Sequence, residues 1–323
     1  MTTLITGGAG FVGSHLVDSC IERGERVIIF DNLLTGSLRN IESALKTGRA
    51  TFVLCDVASP LEHLRSEVRK ATREPLTQIY HLASPASPEA YNAHPWETLA
   101  VNGTGTMALI ELALEHGAQL LFTSTSEIYG DPLVHPQPED YFGNVNPIGP
   151  RACYDEGKRF GEAAMSVAVN SRGLDGRIVR IFNCYGPRMD IGDGRLIPAL
   201  FEAARQGKPY PIHGSGEQTR SMTYIDDLIS GLQIVRDWRP EKLQPVNLGS
   251  EEEHTVNEIA AAFARTCGAE LRTVSLPARP EDPQRRKPVT SLARSLGWSA
   301  QVNLEEGLRR SYEWFRTEAL EFV

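Results

Sequence analysis

The sequence lacks any apolar run approaching the roughly 20 residues that a helix needs to cross a bilayer. It also lacks an excess of positive charge, because 33 lysines and arginines stand against 41 aspartates and glutamates, a formal net charge of −8. Nucleic-acid and membrane-surface binding both need a basic surface, so this balance argues against both kinds of partner. Residues 1–10 already show a strand-and-glycine pattern, which argues against a cleaved signal segment. We therefore expect a soluble, cytoplasmic protein.

Cysteine is scarce as well, and its spacing argues against two kinds of site. The five cysteines are dispersed, without a C-x-x-C pair and without a histidine–cysteine cluster at metal-ligand spacing. An odd, dispersed set is typical of a reducing compartment, where each thiol acts as a small buried residue. We expect neither a disulfide framework nor a metal site.

What the sequence does contain is an alternation of short apolar runs and longer helical patterns. Six runs have the continuous apolar character of strands that are buried on both faces: Thr2–Thr6, Arg26–Asp31, Ala50–Cys55, Gln78–Leu82, Gln119–Thr123 and Gly176–Ile181. Helical patterns lie between them, notably at Phe11–Arg23, Trp96–His116 and Arg151–Ser171. This alternation predicts an α/β fold with a Rossmann-type, doubly wound parallel sheet and right-handed crossovers.

The composition of the sequence changes after Gly186, where glycine and proline interrupt the helical and strand patterns more often. We predict a dinucleotide-binding Rossmann domain over residues 1–185, to which residues 218–238 return. Residues 186–323 are predicted to form a smaller C-terminal α/β domain that binds the substrate, because loop-rich regions often determine specificity.

A glycine motif follows the first predicted strand. Gly7, Gly10 and Gly13 are spaced as G-x-x-G-x-x-G, which permits a tight turn, a close approach of a pyrophosphate and close helix–strand packing. Asp31 ends the second strand, where an acidic side chain accepts hydrogen bonds from ribose hydroxyls and repels a 2′-phosphate. The sequence therefore predicts an NAD site rather than an NADP site. Asp56 is either a contact for the adenine amino group or an exposed loop aspartate.

Tyr154 and Lys158 form a Y-x-x-x-K pair on one face of a predicted helix. A neighbouring ammonium stabilises a phenolate, so we expect the pKa of Tyr154 to be lowered towards the working pH. Surface pairs with this spacing are also common. Here, however, the fifth strand ends in Ser124–Glu127, at the sheet edge where such folds place ligands.

These residues resemble the extended short-chain dehydrogenase/reductase superfamily. Longer segments are similar to UDP-glucuronate decarboxylases: His81–Pro88, Ser124–Pro132, His135–Arg159, Arg180–Met189 and Glu281–Val289. The resemblance implies an enzyme with bound NAD that converts UDP-glucuronate, through a 4-keto intermediate, into UDP-xylose and/or UDP-4-keto-xylose and carbon dioxide. It also implies a homodimer that pairs through the helices Trp96–His116 and Arg151–Ser171.

The resemblance assigns roles residue by residue. Tyr154, held by Lys158 and Thr125, would take the proton of the sugar 4-hydroxyl, while Glu127 and Arg220 would act on the substrate carboxylate. The candidate catalytic residues are Thr125, Ser126, Glu127, Tyr154, Lys158 and Arg220. The candidate cofactor-binding residues are Gly7, Gly10, Phe11, Val12, Gly13, Asp31, Asn32, Thr35, Gly36, Asp56, Val57, Leu82, Ala83, Ser84, Asn102, Tyr154 and Lys158. The candidate substrate-binding residues are Pro85, Asn183, Arg188, Arg195, Gln218, Arg220, Arg285 and Arg286.

Two neighbouring positions separate this chain from other enzymes of the superfamily. The 4,6-dehydratases place Asp–Glu after the threonine, because eliminating water needs an acid for the leaving hydroxyl, a role that Ser126 cannot fill. The 4-epimerases generally lack an acid at the position of Glu127. A 4-epimerase or 4,6-dehydratase is the alternative function. A non-catalytic NAD-binding scaffold is a further one, against which the intact Tyr154, Lys158 and Thr125 argue.

Four positions depart from the decarboxylase pattern. Ala100 replaces a lysine that is expected near the substrate, Met222 replaces phenylalanine, Val289 replaces aspartate and Cys184 replaces threonine. We hypothesise that these changes slow the final reduction, so that UDP-4-keto-xylose is released instead of, or alongside, UDP-xylose. The same changes could accompany a different nucleotide.

Overall fold

The computed structural model describes residues 1–268, 270, 272–278 and 284–320, so residues 281–283 of the motif at Glu281–Val289 lie outside the described residues. The strands are β1 Thr2–Thr6, β2 Arg26–Asp31, β3 Ala50–Leu54, β4 Gln78–His81, β5 Gln119–Thr125, β6 Gly176–Ile181, β7 Cys184–Tyr185, β8 Tyr210–His213, β9 Thr219–Arg220, β10 Thr223–Tyr224, β11 Pro245–Leu248, β12 His254–Thr255 and β13 Thr273–Leu276. The α-helices are α1 Phe11–Glu22, α2 Glu42–Lys46, α3 Leu61–Ala71, α4 Pro88–Ala93, α5 Pro95–Ala100, α6 Thr106–His116, α7 Ala152–Arg172, α8 Leu196–Gln206, α9 Ile225–Asp237, α10 Val256–Cys267, α11 Ser291–Ser295 and α12 Leu304–Leu320. Short 3₁₀ turns lie at Leu38–Ile41, Ser126–Tyr129 and Ile191–Asp193, and a π turn lies at Val101–Gly105.

The centre of the fold is a seven-stranded parallel sheet in the order β11–β6–β5–β4–β1–β2–β3. This confirms the predicted doubly wound α/β fold. The strand order reverses between β1 and β4, and the glycine motif follows β1 at this switch point. In open α/β sheets, ligands bind outside the carboxyl ends of the strands at such a point.

The sheet extends further along the chain than the sequence indicated. Helix α9 packs back beside α1, where Gln233 Nε2 donates to Ser19 Oγ at 3.3 Å and Arg236 Nη1 donates to Glu25 Oε1, just before β2, at 2.7 Å. The next strand, β11, then pairs in parallel with β6 as an edge strand. The predicted return of residues 218–238 did not include this strand, because a run of four residues that begins with proline gives a weak strand signal.

The predicted helix Trp96–His116 is interrupted. Its two halves, α5 and α6, are joined by the π turn, which contains Asn102. The Asn102 side chain donates to Thr98 O at 2.9 Å, and Thr106 Oγ1 donates to Asn102 O at 2.7 Å. Side-chain hydrogen bonds of this kind compete with the regular helical ladder, and apolar periodicity does not register them.

The C-terminal elements form a second layer over the carboxyl edge of the sheet. Strand β8 pairs with β13 and β9 pairs with β12, while Phe201 of α8 packs against Phe263 and Phe315 at ring-centroid distances of 4.9 and 4.3 Å. Two cavities lie between this layer and the sheet edge. Among the described residues, no helix is long and apolar enough to cross a membrane.

Candidate active site

The glycine motif forms a tight turn with no room for side chains. Gly7 has φ +72°, and a Cβ placed there would lie 2.7 Å from Ala83 N. A Cβ on Gly13 would lie 2.1 Å from Gly7 O, so this glycine allows α1 to pack against the turn. Gly10 precedes the first residue of α1, and no side chain caps that helix end. The backbone is therefore accessible at a helix N-terminus, the environment that favours a pyrophosphate.

A cavity of about 730 Å³ opens beside this turn. Fourteen of the predicted cofactor-binding residues line it: Gly7, Gly10, Phe11, Val12, Gly13, Asp31, Asn32, Thr35, Gly36, Asp56, Val57, Leu82, Ala83 and Ser84. Asn102 does not line it, because this buried side chain lies behind the cavity and donates to Ser84 Oγ at 2.9 Å. The candidate Asn102 therefore orients a wall residue.

Asp31 is held firmly at this cavity. Its carboxylate accepts hydrogen bonds from Ala9 N at 2.9 Å and Leu33 N at 2.8 Å. Burial raises the pKa of Asp31, while these two backbone donors lower it. The two donors orient the side chain, and the lone pairs that they leave on its oxygens suit ribose hydroxyls.

Several residues of the larger cavity were missed from the sequence. Ser37, Arg39 and Trp314 line it, and Trp314 comes from α12, near the far end of the chain. Ser37 and Arg39 follow Asp31 closely, so their position was a usable signal. The sequence contains no signal for Trp314, because only the packing of α12 brings this residue to the cavity.

A second cavity of about 310 Å³ adjoins the first and shares Phe11, Leu82, Ser84 and Arg195 with it. All six predicted catalytic residues line it, namely Thr125, Ser126, Glu127, Tyr154, Lys158 and Arg220. The predicted substrate-binding residues Asn183, Arg195, Gln218 and Arg286 line it as well. The structure thus brings together residues that are spread over more than half of the chain.

Three predicted substrate-binding residues lie elsewhere. Pro85 and Arg188 line the larger cavity, where Arg188 Nη2 pairs with Asp18 Oδ2 at 2.7 Å. Arg285 lines neither cavity, since its side chain is 60% exposed and faces Glu253 at 3.7 Å. The adjacent Arg286 points inwards instead, because successive residues of an extended segment face opposite sides.

The Tyr154–Lys158 pair differs from the expectation in its electrostatics. Burial raises the pKa of Tyr154 to about 12, although a hydrogen bond with the Thr125 side chain lowers it in part. Burial also lowers the pKa of Lys158 to about 7. The Lys158 ammonium donates to Thr123 O at 2.8 Å and lies 5.9 Å from the centre of the Tyr154 ring. The prediction that the Tyr154 pKa is lowered is therefore wrong for the side chains of the protein alone, because desolvation outweighs the hydrogen bond.

The ring of Tyr91 stacks on Tyr154, with centroids 5.3 Å apart and planes at 10°. Tyr91 lies on α4, which begins at Pro88 after the N-cap Ser87, whose Oγ accepts from Ala90 N at 3.3 Å. The sequence analysis did not identify Tyr91, because an aromatic residue on a short helix has no distinctive spacing.

Glu127 sits among arginines. Arg286 donates to its carboxylate through both terminal nitrogens, with Nη2 2.8 Å from Oε2, and Arg151 Nη2 donates to Oε2 as well. Burial raises the pKa of Glu127, but Arg286, Arg151 and Arg220 together hold it well below its usual range. Glu127 is therefore an anion. The Arg286 contact gives this predicted substrate-binding residue a partner within the chain.

The pKa of Asp155, next to Tyr154, is shifted in the opposite direction from the pKa of Glu127. Burial and the nearby Glu127 raise its pKa well above the usual range, against the smaller effect of Arg151. Neither Arg151 nor Asp155 was a candidate from the sequence. Their nearness to Tyr154 along the chain was a signal that could have identified them.

The four positions that depart from the decarboxylase pattern fall into two groups. Met222 and Cys184 are buried and line the smaller cavity. Ala100 and Val289 line neither cavity, and Val289 N donates to Gln137 O at 2.9 Å. Any effect of Ala100 or Val289 on a ligand must therefore be indirect.

Comparisons with known proteins agree with this geometry. The model of the NAD dependent epimerase/dehydratase family matches residues 3–249. UDP-glucuronic acid decarboxylase 1 of Xenopus tropicalis is 44% identical over 98% of this chain and 72% of its own length. UDP-glucuronic acid decarboxylase 5 of Arabidopsis thaliana is 43% identical over 98% of this chain and 89% of its own length.

Solved structures show the same fold over nearly the whole chain. UDP-glucose 4-epimerase of Thermotoga maritima, solved with UDP-glucose, superposes with a TM-score of 0.88 at 30% identity, covering 99% of this chain and 100% of its own. UDP-glucuronic acid 4-epimerase of Bacillus cereus, solved with UDP-glucuronic acid and NAD, has a TM-score of 0.85 at 26% identity and covers 98% and 100%. The chain therefore belongs to the NAD dependent epimerase/dehydratase family and, within it, to the UDP-glucuronic acid decarboxylases.

Proposed function

We propose that this enzyme decarboxylates UDP-glucuronate with NAD as a bound catalytic cofactor, giving UDP-xylose and/or UDP-4-keto-xylose and carbon dioxide. The observation that carries the proposal is the placement of Glu127, with its arginines, in the same cavity as Tyr154, Thr125 and Lys158. An oxidising Tyr–Lys–Thr set beside an anchored carboxylate suits a substrate whose own carboxylate must leave.

The larger cavity fits NAD. The turn at Gly7 and Gly13 leaves no room for side chains beside the start of α1, and the Asp31 carboxylate is held at the cavity wall. NAD bound there would supply the hydride acceptor for C4 of the sugar and the hydride donor after decarboxylation. Phe11 and Leu82, which line both cavities, mark where cofactor and sugar would meet.

The charge of the smaller cavity suits a polyanionic substrate. Among the described residues that line it, Arg151, Lys158, Arg195, Arg220 and Arg286 are basic and Glu127 is the one acid. UDP-glucuronate carries a diphosphate and a carboxylate. A protein with a net charge of −8 therefore binds this substrate through a local concentration of positive groups.

The residues of the cavity can perform the steps in order. Tyr154 accepts the proton of the C4 hydroxyl as the phenolate, a state that the positive charges of Lys158 and of a bound nicotinamide would favour against burial, and Thr125 holds its oxygen by a hydrogen bond. The oxidised sugar is a β-keto acid, so cleavage of the C5–carboxylate bond leaves its electron pair on the C4 oxygen. Hydrogen bonds from Tyr154 and Thr125 stabilise that enolate. A proton from solvent at C5 forms the 4-keto pentose, and return of the hydride to C4 with the Tyr154 proton to its oxygen would give the pentose.

The test is to add UDP-glucuronate to the purified enzyme without NAD and to measure released carbon dioxide. Release supports the proposal, and Tyr154→Phe is expected to abolish it. A 4-epimer or a dehydrated sugar without carbon dioxide would identify the alternative enzyme classes. No reaction with several nucleotide uronates would favour a scaffold.

The two parts of the chain would divide the binding. We propose that residues 1–185, with the returning segment 218–238 and β11, hold NAD, and that residues 186–323 otherwise hold the nucleotide sugar. Neither a nucleic acid nor a membrane is expected as a partner, and the cytoplasm is the proposed location. Cell fractionation with antibody detection tests the location.

A homodimer through α5, α6 and α7 completes the proposal. These helices expose Trp96 at 79%, Met107 at 53% and Val167 at 63%, an apolar surface that a second copy would cover. Met107→Glu and Val167→Glu are expected to shift the sedimentation of the protein from dimer to monomer. A wild-type monomer would contradict the dimer.

A further inference from the structure

Asp155 is a buried acid that the proposed reaction does not use. It follows Tyr154 on α7, its exposed fraction is 5%, and it lines neither cavity. It nevertheless lies within reach of the Glu127 group through one shared residue, Arg151.

Arg151 lies between the two acids. Its Nη2 donates to Glu127, and its Nε lies 3.9 Å from Asp155 Oδ2, beyond hydrogen-bond distance. Of the two acids, Glu127 therefore holds the closer contact. The guanidinium is near enough to Asp155 that a small rotation would exchange one carboxylate for the other.

The other oxygen of Asp155 lacks a hydrogen-bond donor. Oδ1 is buried and receives no hydrogen bond from any described residue. A buried carboxylate needs donors on its oxygens, whereas a neutral carboxylic acid is far less costly to bury. The groups that face Asp155 are Glu127, Glu156, Arg151, Arg286, Tyr91, Tyr154 and Cys153.

We propose that Asp155 is a positioning residue for decarboxylation. When Asp155 is the neutral acid, Arg151 stays bound to Glu127, and when Asp155 is an anion, Arg151 binds Asp155 instead. This inference rests on the proposed function, because it concerns the Glu127 group of that reaction. Losing Arg151 removes one of the cations that orient Glu127. The Thr125–Tyr154 contact is untouched and the charge of Asp155 has only a minor effect on the pKa of Tyr154, so the decarboxylation step falls more than C4 oxidation.

The experiment compares wild type, Asp155→Asn and the control Asp131→Asn, an exposed aspartate outside both cavities. Carbon dioxide release and single-turnover NADH absorbance are followed against pH with UDP-glucuronate. In wild type and control, carbon dioxide release should fall with rising pH on an alkaline limb that is steeper than any change in NADH formation. Asp155→Asn should retain activity at neutral pH and lose that limb. The same limb in Asp155→Asn would overturn the inference.

A second measurement does not depend on activity. The infrared difference between wild type and Asp155→Asn at neutral pH should show the carbonyl band of one protonated carboxylic acid, which disappears at alkaline pH. A carboxylate band in its place would overturn the inference.

Asp155→Ser repeats the test, and unfolding of both neutral variants would also contradict a neutral Asp155. Absent carbon dioxide release by wild type at every pH would refute the proposed function alone, and the infrared result would still decide the state of Asp155.

Discussion

Arg286 binds the Glu127 carboxylate through both terminal nitrogens, although 159 positions separate the two residues in the chain. The arginine comes from the segment that follows β13, and the glutamate from the turn that follows β5. The contact joins the second layer to the edge of the parallel sheet, where both residues line the smaller cavity. The position of Glu127 therefore depends on both parts of the fold.

Replacing Glu127 by glutamine should uncouple the two chemical steps. Glu127→Gln removes the charge that acts beside the substrate carboxylate while Tyr154, Lys158 and Thr125 stay in place. We expect carbon dioxide release to fall by about 10²-fold or more, with C4 oxidation partly retained. Carbon dioxide trapping and NADH absorbance measure the two steps, and undiminished carbon dioxide release would contradict the role of Glu127.

The two adjacent arginines should differ sharply in their effect on stability. Arg286→Met leaves the buried Glu127 with fewer cations, so we expect a loss of about 3 kcal/mol in the free energy of unfolding. Arg285→Met is the matched control, because its partly exposed pair with Glu253 should contribute less than about 1 kcal/mol. Urea unfolding at neutral pH measures both variants. Equal losses would show that the buried contact is not the stronger one.

Lys158 should make the stability of the nucleotide-free protein depend on pH. Burial lowers its pKa from 10.5 to about 7, so between these values the unfolded chain binds the proton that the folded chain has released. Stability then rises with pH across this window, by at most about 1.4 kcal/mol per unit. Lys158→Met should lack this rise, and its stability relative to wild type should decrease as the pH increases. The exposed Lys70→Met is the control, and parallel curves for wild type and Lys158→Met would contradict the burial effect.

Asp31 should determine the choice between NAD and NADP. Asp31→Ala removes the acceptor of the ribose hydroxyls, so NAD binding should weaken by about 1–3 kcal/mol. It also removes the charge that repels a 2′-phosphate, so the preference for NAD over NADP should decrease. Ala9 N and Leu33 N donate to different oxygens of Asp31, so Asp31→Asn removes the charge but keeps an oxygen that can accept from one of the two donors. Calorimetry on stripped protein measures both, and an unchanged preference in Asp31→Ala would exclude this role.

The products should respond to Met222 and Cys184. Both line the smaller cavity, so Met222→Phe and Cys184→Thr, which restore the family residues, should raise the share of UDP-xylose over UDP-4-keto-xylose. Ala100→Lys and Val289→Asp lie outside both cavities and should change the share less. Chromatography of the products after incubation with UDP-glucuronate gives the ratio. Pure UDP-xylose from wild type would reject the hypothesis of early release.

Much of the cofactor site could be predicted from the sequence because its determinants are local. The spacing of Gly7, Gly10 and Gly13 after an apolar strand, followed by Asp31 at the end of the next strand, already specifies a turn, a helix start and an acceptor. The spacing of Tyr154 and Lys158 likewise specifies one helix face. These features need only the geometry of adjacent elements, and the predicted sheet and the cavity lining agree with them.

What only the tertiary structure decided is the environment of those residues. The pKa of Tyr154 is raised rather than lowered because the surrounding elements remove it from water, and no spacing in the sequence measures that desolvation. The partners of Glu127, the position of Trp314 and the strand β11 likewise depend on where distant segments pack. The sequence by itself determined which chemical groups are present and which neighbours share a helix face or a turn. Packing decided their charges, because burial and long-range contacts set the balance between desolvation and ion pairing.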